Sequence, residues 1–327
     1  MNRFFTGWYK FVVLLLAASS CIAVAQPQAF PDRPITIIVP FGPGGGTDLL
    51  SRTIATKLGE LNGWTVALDF KPGAGGAVGM AEAAKAPRTG YVMVMGATDN
   101  LSIAPWLQKS LNYDALKDVT PIAKVAESPI IFVTSESSPY KTLADVVQAA
   151  RASPGKLTLG TAGTGSVSHL ALVAFGNRAN VSITHVPYKG AGPILADLLG
   201  GHIQFAAMAI PSALSLIKSG KVRALGVTSA ARSSILPDVP TIAEQGYQGF
   251  KISVWYGLLV PTGVPAPVIN RLNRDVNTVL EMPSVREVIQ SQGAETDIGS
   301  PAAFATTIQS EYVKWRDIVR ASGLSPE

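Results

Sequence analysis

The sequence predicts an α/β fold with largely parallel sheets, divided between two lobes. Three observations carry this. Apolar strand-like runs alternate with helix-like periodic stretches almost throughout, the pattern of buried parallel strands covered by helices. The chain has 327 residues, more than one core usually serves, so two domains are the default. One unit also occurs twice: a short apolar strand runs into a glycine-rich turn, and the turn opens a helix.

Taken in order, residues 1–25 read as a signal peptide outside the fold. Arg3 and Lys10 give a positive start, residues 11–24 are mostly apolar, and Ala23-Val24-Ala25 is a cleavage pattern before Gln26. The apolar stretch is too short for a membrane span. Lipid attachment at Cys21 is the alternative, but Ala18-Ser19-Ser20-Cys21 lacks the usual leucine three places before the cysteine.

The fold then opens with a strand over 35–39, the turn Phe41-Gly42-Pro43-Gly44-Gly45-Gly46-Thr47-Asp48, and a helix over 49–61. Strands over 65–70, 91–95 and 130–134 follow, with helices over 78–85 and 143–152. The unit recurs as Leu157-Thr158-Leu159-Gly160, then Thr161-Ala162-Gly163-Thr164-Gly165-Ser166, then a helix over 167–175. Further strands lie over 183–186, 203–207, 223–228 and 253–260, with helices over 194–199 and 213–218. Ser153-Pro154-Gly155 and Lys218-Ser219-Gly220-Lys221 are helix stops, glycine after the last turn with lysine nearby. Val268, Ile269, Leu272, Val276, Val279 and Leu280 form the three- and four-residue stripe of a packed helix, and Pro301 opens the last one.

Composition excludes several classes. Cys21 is the only cysteine, so cleavage after Ala25 leaves no disulfide, no cysteine nucleophile and no thiolate metal site. Export without disulfides fits a bacterial periplasmic protein. The net charge of +5 falls to +3 once Arg3 and Lys10 leave, since no acidic residue goes with them. That surplus helps an anion approach, but no basic run or aromatic interleaving marks a nucleic-acid partner.

The chemistry rests on the two turns. Each aims backbone N–H groups and the positive end of a helix dipole at one spot, which suits a small anion. The first turn lacks the Gly-Lys-Ser/Thr ending of a P-loop, and neither Gly73-x-Gly75-x-x-Val78 nor Gly163-x-Gly165-x-x-Ser168 completes a dinucleotide fingerprint. No nucleotide cofactor is expected. Ser166, Ser168 and His169 raise a secreted serine hydrolase as an alternative, but there is no Gly-x-Ser-x-Gly elbow, and Ser166 fits an N-cap. The three histidines make no metal set. Asp48 reads equally as a first-turn acid or a ligand-directed one, and Phe41 as a cleft wall or a core residue. Lys189 is a candidate for a second anionic group. Asp99 and Asn100 follow a strand end, where α/β folds gather ligand-binding residues. Trp255 and Tyr256 are candidates for the cleft or the core.

At this point the residues resemble a known family, the Bug/TctC extracytoplasmic solute-binding proteins of tripartite tricarboxylate transport systems. The likeness runs through Pro31-Asp32-Arg33-Pro34-Ile35, Pro40-Phe41-x-Pro43-Gly44-Gly45-x-x-Asp48 and Lys71-Pro72-Gly73-Ala74-Gly75-Gly76. It continues through Gly163-x-Gly165-Ser166-x-x-His169-Leu170, Val186-Pro187-Tyr188-Lys189-Gly190, Asp197-Leu198-Leu199-Gly200-Gly201, Pro211-Ser212-Ala213-Leu214, Gly220-Lys221-Val222-Arg223-Ala224-Leu225 and Leu236-Pro237-Asp238-Val239-Pro240-Thr241. Each is weak alone; the ordered set is specific.

The resemblance implies a two-lobed periplasmic binding protein of type II, a "Venus flytrap" with a central cleft. Lobe 1 would comprise residues 26–124 and 255–327, and lobe 2 residues 125–254. It implies a monomer without catalytic residues, cofactor or metal that carries a small organic carboxylate to a membrane permease. A sensory protein presenting its ligand to a receptor is the alternative. The ligand residues it implies are Phe41, Gly42, Gly44, Gly45, Gly46, Thr47, Asp48, Ala162, Gly163, Thr164, Gly165, Ser166, His169 and Met208, to which the reading of the residues above adds Asp99 and Lys189. Many relatives carry an aspartate at the place aligned with Met208, so an apolar or aromatic far end of the ligand is expected here.

Overall fold

The computed structural model describes residues 30–324; the expected signal peptide and Cys21 lie outside the described residues. From Arg33 onward the chain forms one unit. Its strands are β1 (Ile35–Val39), β2 (Val66–Phe70), β3 (Val92–Ala97), β4 (Val119–Ser135), β5 (Thr158–Thr161), β6 (Thr184–Pro187), β7 (Phe205–Ala209), β8 (Val222–Val227), β9 (Ser253–Pro261) and β10 (Glu295–Thr296). The helices are α1 (Gly46–Asn62), α2 (Ala77–Ala84), α3 (Ala104–Leu107), α4 (Leu143–Ala152), α5 (Val167–Ala179), α6 (Ala191–Leu199), α7 (Ile210–Lys218), α8 (Ala266–Glu281), α9 (Pro283–Ser291) and α10 (Pro301–Ser322).

The strands hydrogen-bond in the order β2-β1-β3-β9-β4-β7-β5-β6, with β8 and β10 also on β4. The flanks are parallel, β1 with β2 and β3, and β5 with β6 and β7. Strand–helix–strand units build those flanks. The middle is antiparallel, because β9 returns beside β4 in the opposite direction. The sheet is therefore mixed, which corrects the expectation of largely parallel sheets.

β4 is the strand that divides the molecule. Up to Pro129 it pairs with β9; from Ile130 it pairs with β7 and β8. Each half has its own core. Ile38, Met80, Val94, Leu101, Trp255, Leu259 and Phe304 pack together in one. Ile131, Val133, Ile194, Leu198, Met208 and Leu214 pack in the other. Burying a side chain of this size stabilises by about 1.5–3 kcal/mol, so each half has its own source of stability.

Candidate functional site

β1 delivers the chain into the first glycine turn, and α1 starts immediately after it. Gly44 takes φ +86°, a left-handed value that favours glycine. Gly45 is the N-cap in extended conformation, and no side chain caps the helix. The first-turn N–H groups thus keep their positive end open to an acceptor. Asp48 is committed inside its own turn: its Oδ2 accepts the Gly44 N–H at 2.9 Å and its Oδ1 lies 2.6 Å from Arg52 Nε. It braces the loop against the repulsion a bare carboxylate would bring.

The second turn is tied differently. Ser166 caps α5, its Oγ accepting the His169 N–H at 3.2 Å. The same hydroxyl donates to the Gly163 carbonyl at 2.8 Å and lies 2.9 Å from Ser168 Oγ. The Ala162 N–H reaches Ser168 Oγ at 3.3 Å. Gly163 and Gly165 hold φ +128° and +74°. Beneath them His169 and His185 stack with ring centroids 3.7 Å apart. His169 Nδ1 accepts the Gly165 N–H at 3.1 Å, and His185 Nε2 meets Thr161 Oγ1 at 2.6 Å. Burial holds both imidazoles down at about 4, so they are neutral packing surfaces, His169 Nδ1 being the acceptor of the Gly165 N–H. None of these bonds couples Ser166 to an imidazole.

The two turns approach one another through intermediaries. Asp99 Oδ1 accepts the Val167 N–H, the first residue of α5, at 2.8 Å. Asp99 itself is half-buried. Loss of hydration pushes its carboxyl up to about 6, opposed in part by the N–H bond from Val167. The Tyr256 hydroxyl stands where a Cβ on Gly46 would come within 2.6 Å, and the Asp99 charge adds to the burial that keeps this phenol protonated. A Cβ on Gly42 would lie 3.8 Å from the Lys189 carbonyl, one on Gly163 3.5 Å from the Tyr188 carbonyl, and one on Gly165 2.9 Å from Leu107. Residues from β9, from the segment after β3 and from the loop after β6 therefore all meet the glycine turns.

Several predicted residues have more ordinary places. The Lys189 side chain is exposed, as is Thr164, while Thr47 is buried. Met208 is 3% exposed and packs in the second core. Phe41 is half-buried with its ring against Gly76, which holds φ +92°. The same glycine faces Asn100 Nδ2, a fully buried donor without a partner among the described residues, while Asn100 Oδ1 accepts the Ala97 N–H at 2.9 Å. An orphaned buried donor beside the turns asks for an acceptor.

Of the residues left open by the sequence, Tyr256 and Asn100 are thus the ones that the structure sets beside the turns. Alternation along β9 separates Tyr256 from Trp255: successive strand side chains face opposite ways. Trp255 packs edge-on to Phe304 with centroids 5.4 Å apart, and Tyr256 faces Gly46. A groove of about 550 Å³ elsewhere, lined by Leu143, Val147, Gln148, Arg151, Gln245 and Tyr247, includes none of these residues. Among the described residues no cluster of three potential metal ligands occurs, and no helix is long and apolar enough to cross a membrane.

Comparison with known proteins gives a consistent picture. Residues 50–324 match the model of the tripartite tricarboxylate transporter family receptor. The chain is 34% identical to Protein BugT of Bordetella pertussis over 311 residues, 95% of each chain. The solved structure of Rpa4515 of R. palustris with adipate is similar at 32% identity and a TM-score of 0.89, covering 91% of this chain and 100% of that one. The periplasmic binding protein BugD is similar at 31% identity and a TM-score of 0.86, covering 91% and 100%.

Proposed function

Because the chain belongs to the tripartite tricarboxylate transporter receptor family, whose members are periplasmic solute-binding proteins, we propose that it captures a small organic carboxylate between its two glycine turns and delivers it to the family's membrane permease. The observation that carries this is the meeting of both helix starts over one buried spot, Gly46 against Tyr256 and Val167 on Asp99. The exported form begins after Ala25, and the lobes comprise residues 26–124 with 255–327, and 125–254. The change of partner along β4 between Pro129 and Ile130 supports that division.

The grip is mostly backbone. N–H groups of 45–48 and of Thr164, joined by that of Val167 when Asp99 gives it up, receive one carboxylate, the Tyr256 hydroxyl and Asn100 Nδ2 supply side-chain donors, and Asp48 and Ser166 hold the turns in shape. A hydrogen bond to a charged group contributes roughly 1.5–3 kcal/mol, and each helix end on the order of 0.3–1 kcal/mol, up to about 2 when partly buried. Micromolar affinity requires about 8 kcal/mol, so four to six such bonds suffice after the cost of closure. Neutral imidazoles and a Ser166 tied to backbone suit capture without chemistry.

Since adipate is the ligand named for one relative, the test is a thermal-shift and calorimetric panel of mono-, di- and tricarboxylates and aromatic acids. At least one acid raises the melting temperature and binds with one-to-one stoichiometry. If no carboxylate of any class does either, the reading is wrong.

A further inference from the structure

The acceptor that holds α5 in this structure belongs to the chain itself. Asp99 Oδ1 sits 2.8 Å from the Val167 N–H, at the dipole-positive end of a 13-residue helix. That is the place and the chemistry assigned above to a ligand's carboxylate. Asp99 reaches it from the segment after β3, in the other half of the sheet from α5. We infer that Asp99 is a resident carboxylate that occupies the anion seat, and that a free acid binds by displacing it while Asp99 takes up a proton.

This inference rests on the proposed carboxylate capture and deepens it. Once displaced, an ionised Asp99 would lie beside the incoming carboxylate in a buried place. Two like charges at contact distance there do not both stay ionised. The proton comes from solvent, and it converts Asp99 from a competing acceptor into an O–H donor toward the guest. The ligand's own carboxylate stays ionised on the helix ends, so the exchange is one anion in and one proton in.

Neither β9, α5 nor α1 sets a countercharge against Asp99, and on α10, which also packs against its segment, Glu311 is paired with Lys314 and Trp315. From β9 the facing titratable group is Tyr256, already protonated and kept so by burial. From α5 it meets the Val167 N–H, and the first titratable side chain along that helix, His169, is neutral with its Nδ1 on Gly165. From α1 the nearest charged side chain to the turn is Asp48, which is spent on Arg52 and Gly44. Its own segment, Asp99–Ile103 and then Ala104–Leu107, carries no other titratable residue. Asp99 already sits poised, its carboxyl at about 6 before any acid arrives.

The experiment is isothermal titration of the purified protein with adipate and with malate at pH 7, in two buffers of different ionisation enthalpy, repeated from pH 5.5 to 8. The protein takes up about one proton per acid bound, and affinity falls as pH rises, approaching about tenfold per unit above the Asp99 titration. Asp99→Asn keeps an acceptor on Val167 but has no proton to gain, so uptake goes to zero and the pH slope flattens. Asp99→Ala vacates the seat and binds the acid on the order of tenfold tighter at pH 7.5, where the parent must neutralise a buried charge. Binding by the parent without proton uptake, or an Asp99→Asn profile matching the parent's, overturns the inference and leaves the capture reading standing. No binding of any acid by the parent overturns both.

Discussion

At the scale of single residues, the glycine turns make opposed predictions. Gly165 holds φ +74° with Leu107 2.9 Å from a prospective Cβ. A side chain there costs on the order of 1–2 kcal/mol in backbone strain alone, before the clash. Gly165→Val therefore weakens acid binding about tenfold or more, and a parental dissociation constant in titration would refute the grip. Gly45 looks equivalent in the sequence but is not. Its φ of −94° is ordinary, and nothing lies within 4 Å of its prospective Cβ. The positive φ belongs to Gly44 and the crowding to Gly46, so Gly45→Ala binds like the parent. Gly45→Ser gives α1 the cap it lacks, and its hydroxyl competes with the ligand for the same N–H groups. That variant binds acids more weakly while its unliganded melting temperature holds or rises. Ser166→Ala has the reverse balance: about 1 kcal/mol of helix-cap stability is lost, read as a lower melting temperature, with only a moderate loss of affinity.

At the scale of elements, the stacked pair between α5 and β6 sets a pH dependence. Both imidazoles sit near 4 in the fold and near 6.5 when unfolded. Between those values the unfolded chain binds more protons, so their contribution to stability is full above about 6.5 and is lost as pH falls toward 4. Asp99 acts in the opposite sense, since its raised carboxyl gains relative stability as pH falls through about 6. The clean observable is therefore a difference: melting curves of His185→Gln fall less steeply from pH 6.5 to 4 than the parent's. Equal slopes would show that the stack does not stay neutral in the fold. This stack was not legible in the sequence, because His169 and His185 are 16 positions apart and meet only when α5 packs over β6. What the chain did reveal is local in origin. The strand–turn–helix units, the Ser166 cap and the α4 span of 143–152 follow from periodicity and capping chemistry. The early part of β4 was missed because Pro121 and Pro129 punctuate a run whose continuity depends on β9, a distant strand. Likewise Asp99 could be placed at a strand end, but its partner on α5 is a tertiary fact.

At the scale of the whole molecule, two cores share one long strand, and contacts such as Asp99 with Val167 and Gly293 with Ile210 link the halves. On the proposed reading, closure is a matter of differential affinity: an acid stabilises the form in which the N-termini of α1 and α5 face each other. Asp99 contributes one cross-half hydrogen bond in the unliganded chain, which limits how far the halves open and which an incoming acid must break. A ligand at a hundred times its dissociation constant adds about 2.7 kcal/mol to the folded state by mass action. For a chain of this size that corresponds to a rise of roughly 4 °C in melting temperature. The same titration followed by small-angle scattering shows a smaller radius of gyration with acid than without, and the change is larger in Asp99→Ala, whose unliganded halves lack the tie. A melting shift with no change in radius for either protein would mean that acids bind a cleft already shut, and that the strands joining the halves do not act as a hinge.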